Sequence, residues 1–520
     1  MKINLLKVFY LIVSIIAIGM SLRGQLGNPS ERELLNPNWR ENGPFELSPE
    51  RGRYALTYTL MQHGSFSLTK ELAQFAMPDV GKRNGQFVSL FAPAVSFIAA
   101  PGYWLGAKLG ASQIGAFAMI GMFALLNSFL ISKIVQKMTH SSTAGLLAGL
   151  VFLFATPAFA YATTLYQHHI STFLILTSIY TLIASSSAWA LGLVWFLCAM
   201  SFPVDYPNSI LMFPLGFYAL GRIVQASMSK QKYYLTIRVK QVLTFATVIV
   251  PLVFFLWYNN AAYGNPLQLA GTVTNASESD FVTKDSSTNL GSTQLEKNEE
   301  QLQEAPRSAA RFFKPRNLVN GLYIHTISLD RGLLIYAPVL LFGLLGALAT
   351  YRKNKSLTVL LSSIATADLL LYSLWGDPWG GWAFGSRYLI PAYAVLAIFV
   401  GVALDRYRRN LLVMGSFAIL AIYSVMVNTA GALSTSANPP QVQVLAIEAL
   451  SGKRERYSWD RNLEYLQQGS SKSFVYQTWL HDRVTAWQYY LGVSTLILGL
   501  FAILMVGLIR APGKSTKGEV

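Results

Sequence analysis

Long apolar segments recur along most of this chain, and short polar loops separate them. A helix that spans a bilayer needs about 20 predominantly apolar residues, and twelve segments approach that length. The pattern therefore predicts an all-α polytopic membrane protein with about twelve spanning helices. The segments are 4–20, 112–134, 143–163, 168–185, 187–203, 206–222, 241–258, 332–350, 357–375, 388–404, 411–430 and 490–509.

One further apolar stretch, residues 87–107, contains Pro93, Pro101 and Gly102, which interrupt a regular helix. Short loops rich in Lys and Arg face the cytoplasm. If 87–107 does not cross the membrane, all such loops lie on the same side as Lys2. We therefore predict that 87–107 is a juxtamembrane or re-entrant segment and that both termini are cytoplasmic. The basic loops contain Lys133 and Lys137, residues 222–240, 352–355 and 405–409, and Arg510, Lys514 and Lys517.

This topology places four sizeable segments on the outer side of the membrane, namely 21–111, 259–331, 376–387 and 431–489. In the first of them, Tyr54, Tyr58 and Met61 have helical spacing, which predicts an amphipathic juxtamembrane helix. Residues 275–308 are polar with few large apolar side chains, which predicts a mobile loop. The first apolar segment resembles a signal peptide, but no small-x-small cleavage site follows it, so we predict an uncleaved first span.

The composition supports a single membrane domain over residues 1–520. The chain is 52% hydrophobic and only 13% charged, with a mean hydropathy of +0.38, whereas soluble domains carry about 25% charged residues. The net charge of +16 comes from basic residues between apolar segments. These residues indicate topology and contacts to membrane lipids rather than nucleic-acid binding. The single cysteine, Cys198, excludes a disulfide framework within the chain.

Two acids of the first outer loop are candidates for a general base. Glu50 directly precedes the predicted juxtamembrane helix, where a carboxylate at the membrane surface can accept a proton. The alternative is a charge at a helix N-terminus or an ion-pair partner for Arg51 or Arg53. Asp79 is a second candidate acid, which can face the same cavity as Glu50, or it can be an ordinary turn residue.

Two histidines and two further acids stand at predicted span ends. Adjacent helical residues point about 100° apart, so His168 and His169 do not readily share one metal ion. One of them can hydrogen-bond a substrate, or both can be interfacial residues without a chemical role. Asp205 and Asp330 each precede a predicted span and are interpreted as N-caps.

The outer turn 375–388 contains three Trp and four Gly residues, which is typical of an aromatic belt at a membrane interface. Arg387 then begins a helix whose N-terminus points outward, and a cation beside free backbone N–H groups makes a phosphate site. At that depth the natural ligand is a lipid phosphate, either of any phospholipid or of a specific polyprenyl phosphate. The rings of Trp379 and Trp382 can stack on sugars.

The sequence contains no Walker loop, no HExxH motif and no convincing nucleophile elbow. The predicted cytoplasmic loops are too short to form a nucleotide-binding domain. A lipid-linked substrate is therefore favoured over a nucleotide-linked one.

Four motifs, in this order, resemble the GT-C superfamily of membrane glycosyltransferases, in particular bacterial relatives of the protein O-mannosyltransferase and aminoarabinose-transferase type. They lie in residues 50–93, 257–267, 330–338 and 379–391. In that family the first outer loop follows the first span, packs as juxtamembrane helices and carries the catalytic acid. By position this acid is Glu50, with Arg53 and Tyr54 in the same motif as substrate-binding residues. The family usually has Asp there, so Asp79 is kept as the second candidate base.

The resemblance implies a GT-C-like fold and transfer of a sugar at the outer, periplasmic face of a bacterial inner membrane. A polyprenyl-phosphate sugar would be the donor, and a lipid, glycan or protein would be the acceptor. Arg387 would hold the donor phosphate. The family often has another acid near the outer end of the third span, where this chain has His168 and His169, so a divalent metal is left open.

Two rival functions follow from the same sequence. A transporter or lipid-handling protein without chemistry would carry ionisable residues in mid-span, and Asp368 is the clearest one. A non-catalytic GT-C relative is the second rival, because Glu replaces the usual Asp at position 50.

Overall fold

The computed structural model of the chain describes residues 5–40, 42–229, 232–281, 312–452 and 455–511. Most of these residues are helical. The helices are α1 Leu5–Ser21, α2 Glu31–Leu34, α3 Ser48–Gln62, α4 Lys70–Ala76, α5 Ala94–Lys108, α6 Ser112–Thr139, α7 Ser142–Phe154, α8 Ala158–Tyr161, α9 His168–Ala184, α10 Ala188–Val204, α11 Asn208–Ile223, α12 Val239–Val242, α13 Ile249–Tyr263, α14 Leu318–Thr326, α15 Leu333–Tyr336, α16 Phe342–Lys353, α17 Lys355–Ser373, α18 Ile390–Tyr407, α19 Leu411–Leu433, α20 Gln441–Ser451, α21 Asp460–Gln467 and α22 Ala486–Arg510.

Two antiparallel hairpins and several short turns complete the described chain. The hairpins are β1 Val80–Arg83 with β2 Gln86–Ser89, and β3 Val224–Ser229 with β4 Lys232–Ile237. Short 3-10 turns lie at Leu243–Val248, Ala270–Thr272, Glu278–Phe281, Pro315–Asn317, Pro338–Leu341 and Arg387–Leu389, and a π-helical turn lies at Tyr476–Leu480. Most of the predicted mobile loop, 275–308, lies outside the described residues.

The prediction of an all-α polytopic membrane protein is confirmed. Six helical stretches are long and apolar enough to cross a membrane, and four shorter apolar helices accompany them in the described chain. Together these ten match ten of the twelve predicted segments, and α11 matches an eleventh, 206–222. The six are Ser112–Thr139, Val239–Tyr263, Lys355–Ser373, Arg387–Tyr407, Leu411–Leu433 and Ala486–Arg510, and the four are α1, α7, α9 and α10.

Two predicted spans, 332–350 and 143–163, are interrupted where the sequence predicted continuous helices. The first breaks at Pro338, which has no N–H to donate within a helix. The Leu340 N–H bonds the Ala337 carbonyl instead of the Tyr336 carbonyl, and the side-chain amide of Asn428 donates to the Tyr336 carbonyl at 2.7 Å. The second breaks at Pro157 between α7 and α8.

The stretch 87–107 is interrupted at Pro93, as predicted, because strand β2 and a turn precede the helix there, but Pro101 does not interrupt it. Pro93 stands immediately before α5, and Pro101 lies within it, so 94–108 is one helix. This helix forms a hairpin with α6. A Cβ atom at Gly102 would lie 2.3 Å from the Gly115 carbonyl oxygen of α6, so the two backbones meet at a distance that only glycine permits. The crossing of α5 and α6 thus fixes the end of the first outer loop.

Helix α18 is the centre of the bundle and the most buried of the six spanning candidates. It packs against α6, α7, α9, α16 and α17. Gly346 of α16 lies directly on the Phe399 backbone, where a side chain would overlap it. Because α18 is held on most sides, Arg387 at its beginning has a fixed place at the outer end of the bundle.

A buried cluster of charges holds the first outer loop onto the bundle. The Arg23 guanidinium contacts the Glu46 carboxylate at 2.8 Å, and the Lys472 ammonium lies 3.5 Å from the same carboxylate. The Ser436 backbone N–H also donates to Glu46, at 3.2 Å. These contacts join residues near the beginning and the end of the chain, and they place α3 over the outer ends of the spans.

Candidate active site

Glu50 lies in the first turn of α3, directly after Pro49, which starts the helix. It is fully buried, and neither carboxylate oxygen has a hydrogen bond of good geometry among the described residues; the nearby Leu47 backbone and Thr164 hydroxyl lower its pKa less than the charge of Arg23 does. Burial raises the pKa of Glu50 to about 7, although the positive charge of Arg23 opposes this rise, and the negative charge of Glu46 adds to it. A carboxylate with a pKa near neutrality is suited to accept a proton in catalysis.

Tyr166 connects Glu50 to the rest of the site. Burial raises the pKa of Tyr166 well above its usual range, and the nearby Glu50 carboxylate raises it further. The Tyr166 ring stacks on His168 with ring centroids 5.9 Å apart, and the Arg387 guanidinium carbon lies 4.9 Å from the Tyr166 ring centroid. One aromatic side chain therefore has an acid, a histidine and a cation around it.

Several polar atoms in this cluster are buried without a hydrogen-bond partner in the described chain. They are the Tyr166 hydroxyl, His168 Nε2, and Arg387 Nε and Nη1. Leaving one such group unsatisfied costs about 1–3 kcal/mol, so native proteins rarely gather them in one place. A bound polar ligand would satisfy them together.

Arg53 supplies a second cation on the same helix as Glu50, three residues later. Its guanidinium carbon lies 4.4 Å from the Phe91 ring centroid and 5.6 Å from that of Tyr166. Burial lowers the pKa of Arg53 to about 10, against the effect of the Asp205 carboxylate, so the side chain is still charged at neutral pH. Two buried guanidinium groups near one tyrosine repel each other and favour an anion between them.

A relay of side chains holds Arg53. Its Nη2 donates to Gln167 Oε1 at 2.6 Å, and Gln167 Nε2 donates to the Asp205 carboxylate at 3.2 Å. The Asn208 side chain donates to the same Asp205 oxygen at 3.1 Å. Asp205 therefore caps no helix with its carboxylate, contrary to the N-cap interpretation, because the carboxylate accepts from two side-chain amides instead of backbone N–H groups.

Arg387 is oriented by the outer turn that precedes α18. Its Nη2 donates to the Gly380 carbonyl at 2.7 Å. The buried guanidinium of Arg331 donates to the carbonyls of Trp379 at 3.1 Å and Gly381 at 3.0 Å. Sequence reasoning assigned no role to Arg331, which fixes the turn that holds Arg387.

Asp330 does not act as the predicted N-cap of the following span. Its carboxylate accepts from the Ser328 hydroxyl at 2.5 Å and from the backbone N–H of Gln441, the first residue of α20, at 3.1 Å. Asp368 similarly accepts from the Ala392 backbone N–H in the first turn of α18 at 2.9 Å. Both acids satisfy the beginning of a helix that is distant in sequence.

The second candidate base, Asp79, has a different environment from Glu50. It accepts a hydrogen bond from the Ser48 hydroxyl at 2.5 Å, next to the first turn of α3. Tyr54, from the same predicted motif as Arg53, is buried behind α3 with its hydroxyl 3.1 Å from that of Ser112.

The remaining predicted site residues do not join the cluster around Tyr166. His169 Nε2 lies 2.8 Å from the Ala158 carbonyl, within the bundle. The Trp382 indole donates to Gln443 at 2.7 Å, and its ring packs on Arg461. Trp379 contributes its carbonyl to Arg331, as described above. The motifs therefore contribute Glu50, Arg53, His168 and Arg387 to one place.

Tyr166 and Gln167 were missed as functional candidates, although both lie in the motif that contains the histidines. The sequence feature that could have indicated them is the presence of two polar side chains in the short turn between α8 and α9. Across the described ranges, no group of three or more His, Cys, Asp or Glu side chains could hold a metal ion.

Comparison with known proteins gives structural neighbours alone, since no family model and no curated protein matches the chain. A crystal structure of ArnT from Cupriavidus metallidurans in the apo state is 14% identical, with a TM-score of 0.47. Another, of the same protein bound to undecaprenyl phosphate, is 14% identical with a TM-score of 0.44. In both cases 97% of this chain and 76% of the ArnT chain are covered.

Both TM-scores lie below 0.5, so the function of this chain has to be argued from its own residues.

Proposed function

We propose that this protein is an integral membrane glycosyltransferase that moves a sugar from a polyprenyl-phosphate donor to an acceptor hydroxyl at the outer face. The observation that carries the proposal is the convergence of Glu50, Arg53 and Arg387 around Tyr166, with buried polar atoms that lack partners among the described residues. Two cations and one acid are the charges that such a transfer requires.

In the proposed reaction, the Glu50 carboxylate accepts the proton of the acceptor hydroxyl as its oxygen attacks the anomeric carbon. The bond between the anomeric carbon and the phosphate oxygen breaks at the same time, and the electron pair goes to the phosphate. Arg387 and Arg53 stabilise the negative charge of the departing polyprenyl phosphate. A single displacement inverts the anomeric configuration.

The unpartnered atoms of Arg387 support its role at the phosphate. Nη2 is used by the Gly380 carbonyl, while Nε and Nη1 have no hydrogen-bond partner in the part of the chain that the structure describes. Two adjacent guanidinium N–H groups match two oxygens of one phosphate. In this proposal, His168 Nε2 and the Tyr166 hydroxyl, which are also buried without partners among the described residues, hydrogen-bond the sugar.

A transport function has less support than transfer. The mid-span acid that suggested it, Asp368, accepts a backbone N–H of α18, which is a structural use of the carboxylate. A lipid, a glycan or a protein can each supply the acceptor hydroxyl in the proposed reaction.

The test is transfer of radiolabelled sugar from polyprenyl-phosphate donors in membranes that contain wild type or Glu50→Gln. The amide cannot accept the proton, so we expect transfer to fall by about 100-fold or more, as for loss of a general base. Asp79→Asn is the matched variant, because it alters the other candidate acid of the same loop.

Loss of transfer in Asp79→Asn together with an active Glu50→Gln would reassign the base. An active, correctly folded Glu50→Gln beside an equally active Asp79→Asn would refute general-base catalysis by either acid. Wild type that transfers no sugar from any of a panel of donors would favour a non-catalytic relative.

A further inference from the structure

A broad cavity of about 980 Å³ lies at the opposite end of the bundle from Glu50, among the ends of α6, α11, α16 and α18. Arg387 and Arg406 stand at the two ends of one continuous helical stretch, on the order of 30 Å apart. That length equals the hydrocarbon thickness of a bilayer. The cavity therefore opens at the other membrane face, which the charge pattern predicts to be cytoplasmic.

Seven Lys and Arg residues and one acid, Asp405, line this basic cavity. Two of the seven have partners in the protein. Arg222 donates to the Ser185 carbonyl at 2.7 Å, and Arg408 lies 3.5 Å from the Asp405 carboxylate.

The other five cations of the basic cavity form no ion pair with any residue that the structure describes. They come from three separate parts of the chain and are Lys137, Arg352, Lys353, Arg406 and Arg409. The preference for positive charge at the cytoplasmic face explains their sign. It does not explain why these exposed side chains line one cavity, where their combined positive field attracts an anion.

The size and the apolar part of the lining indicate what kind of anion fits. A volume of about 980 Å³ is that of a site for a sizeable ligand rather than a single halide ion. Aliphatic side chains at helix ends, among them Leu182, Ile183 and Leu348, line the cavity beside the cations. Cations above aliphatic side chains match a phosphate headgroup above its acyl chains, and basic pockets between spanning helices bind such headgroups.

We propose that the basic cavity binds a phosphate-bearing group with two or more negative charges, carried either by the headgroup of an anionic lipid or by a free phosphate. Binding here is separate from sugar transfer, because the cavity and Glu50 lie at opposite ends of the bundle.

The experiment measures binding to the purified full-length protein with three probes: short-chain cardiolipin, pyrophosphate and short-chain phosphatidylcholine. The cavity variant carries Arg352→Gln, Lys353→Gln and Arg406→Gln. The control variant carries Lys133→Gln, Lys355→Gln and Arg510→Gln, which remove the same charge from the same face outside the cavity. Gel filtration checks that each protein is folded.

We expect cardiolipin to bind wild type and the control variant alike, and to bind the cavity variant at least about tenfold more weakly, since three cations that attract the headgroup are removed. Phosphatidylcholine should not bind in this way. Binding of cardiolipin without pyrophosphate assigns the site to a lipid headgroup, and binding of both assigns it to phosphate itself.

Equal loss in the control variant, or no binding of either anionic probe to wild type, would overturn the proposal. If the triple cavity variant does not fold, the exposed Arg409→Gln substitution is compared with Arg510→Gln instead, with the same expected order of affinities.

Discussion

The protonation of Glu50 is decided by opposing influences within a few residues. Burial favours the neutral acid and raises its pKa to about 7, while the Arg23 guanidinium favours the carboxylate. The Arg23 guanidinium is itself paired with Glu46, and the Glu46 charge partly offsets the effect of Arg23 on the pKa of Glu50. The outcome is an acid that is ionised in about half of the molecules at neutral pH.

The pH dependence follows from this value. The base must be ionised to accept a proton, so sugar transfer should rise with pH up to about 7 and level off above it. The rate of sugar transfer, measured between pH 5 and 9, tests this rise. A profile that is flat across this range would contradict Glu50 as the base.

The same pKa predicts the stability of Glu50→Gln. Because the folded-state pKa is raised from 4.5 to about 7, the ionised form destabilises the fold, and stability is lost as the pH rises through that window. The destabilisation above pH 7 is on the order of 3 kcal/mol. Glu50→Gln should therefore have a higher Tm than wild type at pH 8 and a similar Tm at pH 4.5, in a detergent melting assay.

Substitution of the proposed phosphate ligand should affect donor use. Arg387→Gln removes a charge and two donors from the leaving phosphate, and we expect kcat/KM for the donor to fall by about 100-fold. Arg32→Gln, on the exposed face of α2, is the control and should leave kcat/KM for the donor unchanged. Unaltered donor kinetics in Arg387→Gln would remove this residue from the phosphate site.

At the scale of elements, the site is assembled from the ends of helices. Helix α3 provides Glu50 and Arg53, the turn before α9 provides Tyr166 and Gln167, and the turn before α18 provides Arg387. Helix ends carry unsatisfied backbone groups and side chains that are free to reach sideways. The relay from Asp205 through Gln167 to Arg53 joins α10 to α3.

This relay makes Asp205 a positioning residue, and a double-mutant cycle can test it. Asp205→Ala should raise the donor KM by about tenfold while changing kcat less, because Arg53 keeps its charge but loses its orientation. In an Arg53→Gln background, Asp205→Ala should have little further effect. Fully additive losses would show that Asp205 acts through general stability.

At the scale of the whole molecule, Glu46 connects the two ends of the chain. It is buried, and burial alone would raise its pKa, but the charges of Arg23 and Lys472 hold the pKa below its usual value. This ion cluster joins the segment after α1 to the segment before α22. The outer loops are thereby fixed over the bundle as one unit.

Glu46→Gln should destabilise the protein strongly, because it leaves two cations buried without their carboxylate, which costs about 3–5 kcal/mol. The melting temperature in detergent measures this effect. Glu464→Gln is the control, since its ion pair with Arg456 is exposed and such pairs contribute about 0–1 kcal/mol. Similar melting temperatures for both variants would contradict a structural role of the buried cluster.

Hydropathy predicted most spans because the membrane imposes a local requirement, namely about 20 apolar residues in succession. The position of Glu50 and Arg53 near one another was also a local consequence of helical spacing. The breaks at Pro157 and Pro338 were not predicted. Whether a proline in an apolar run interrupts the helix depends on side chains that can bond the freed backbone groups. At Pro338 this side chain is Asn428, which is distant in sequence.

The sequence by itself determined the class of the protein, the approximate spans and the types of side chain in the loops between them, since each depends on composition within about 20 residues. The tertiary structure alone decided which polar groups share a site. Asp330 and Asp368 accept backbone hydrogen bonds at the beginnings of helices that are distant in sequence. Tyr166, in contrast, lies beside Glu50 and Arg387. Hydrogen bonds and charges act through space, so their partners depend on packing rather than on order along the chain.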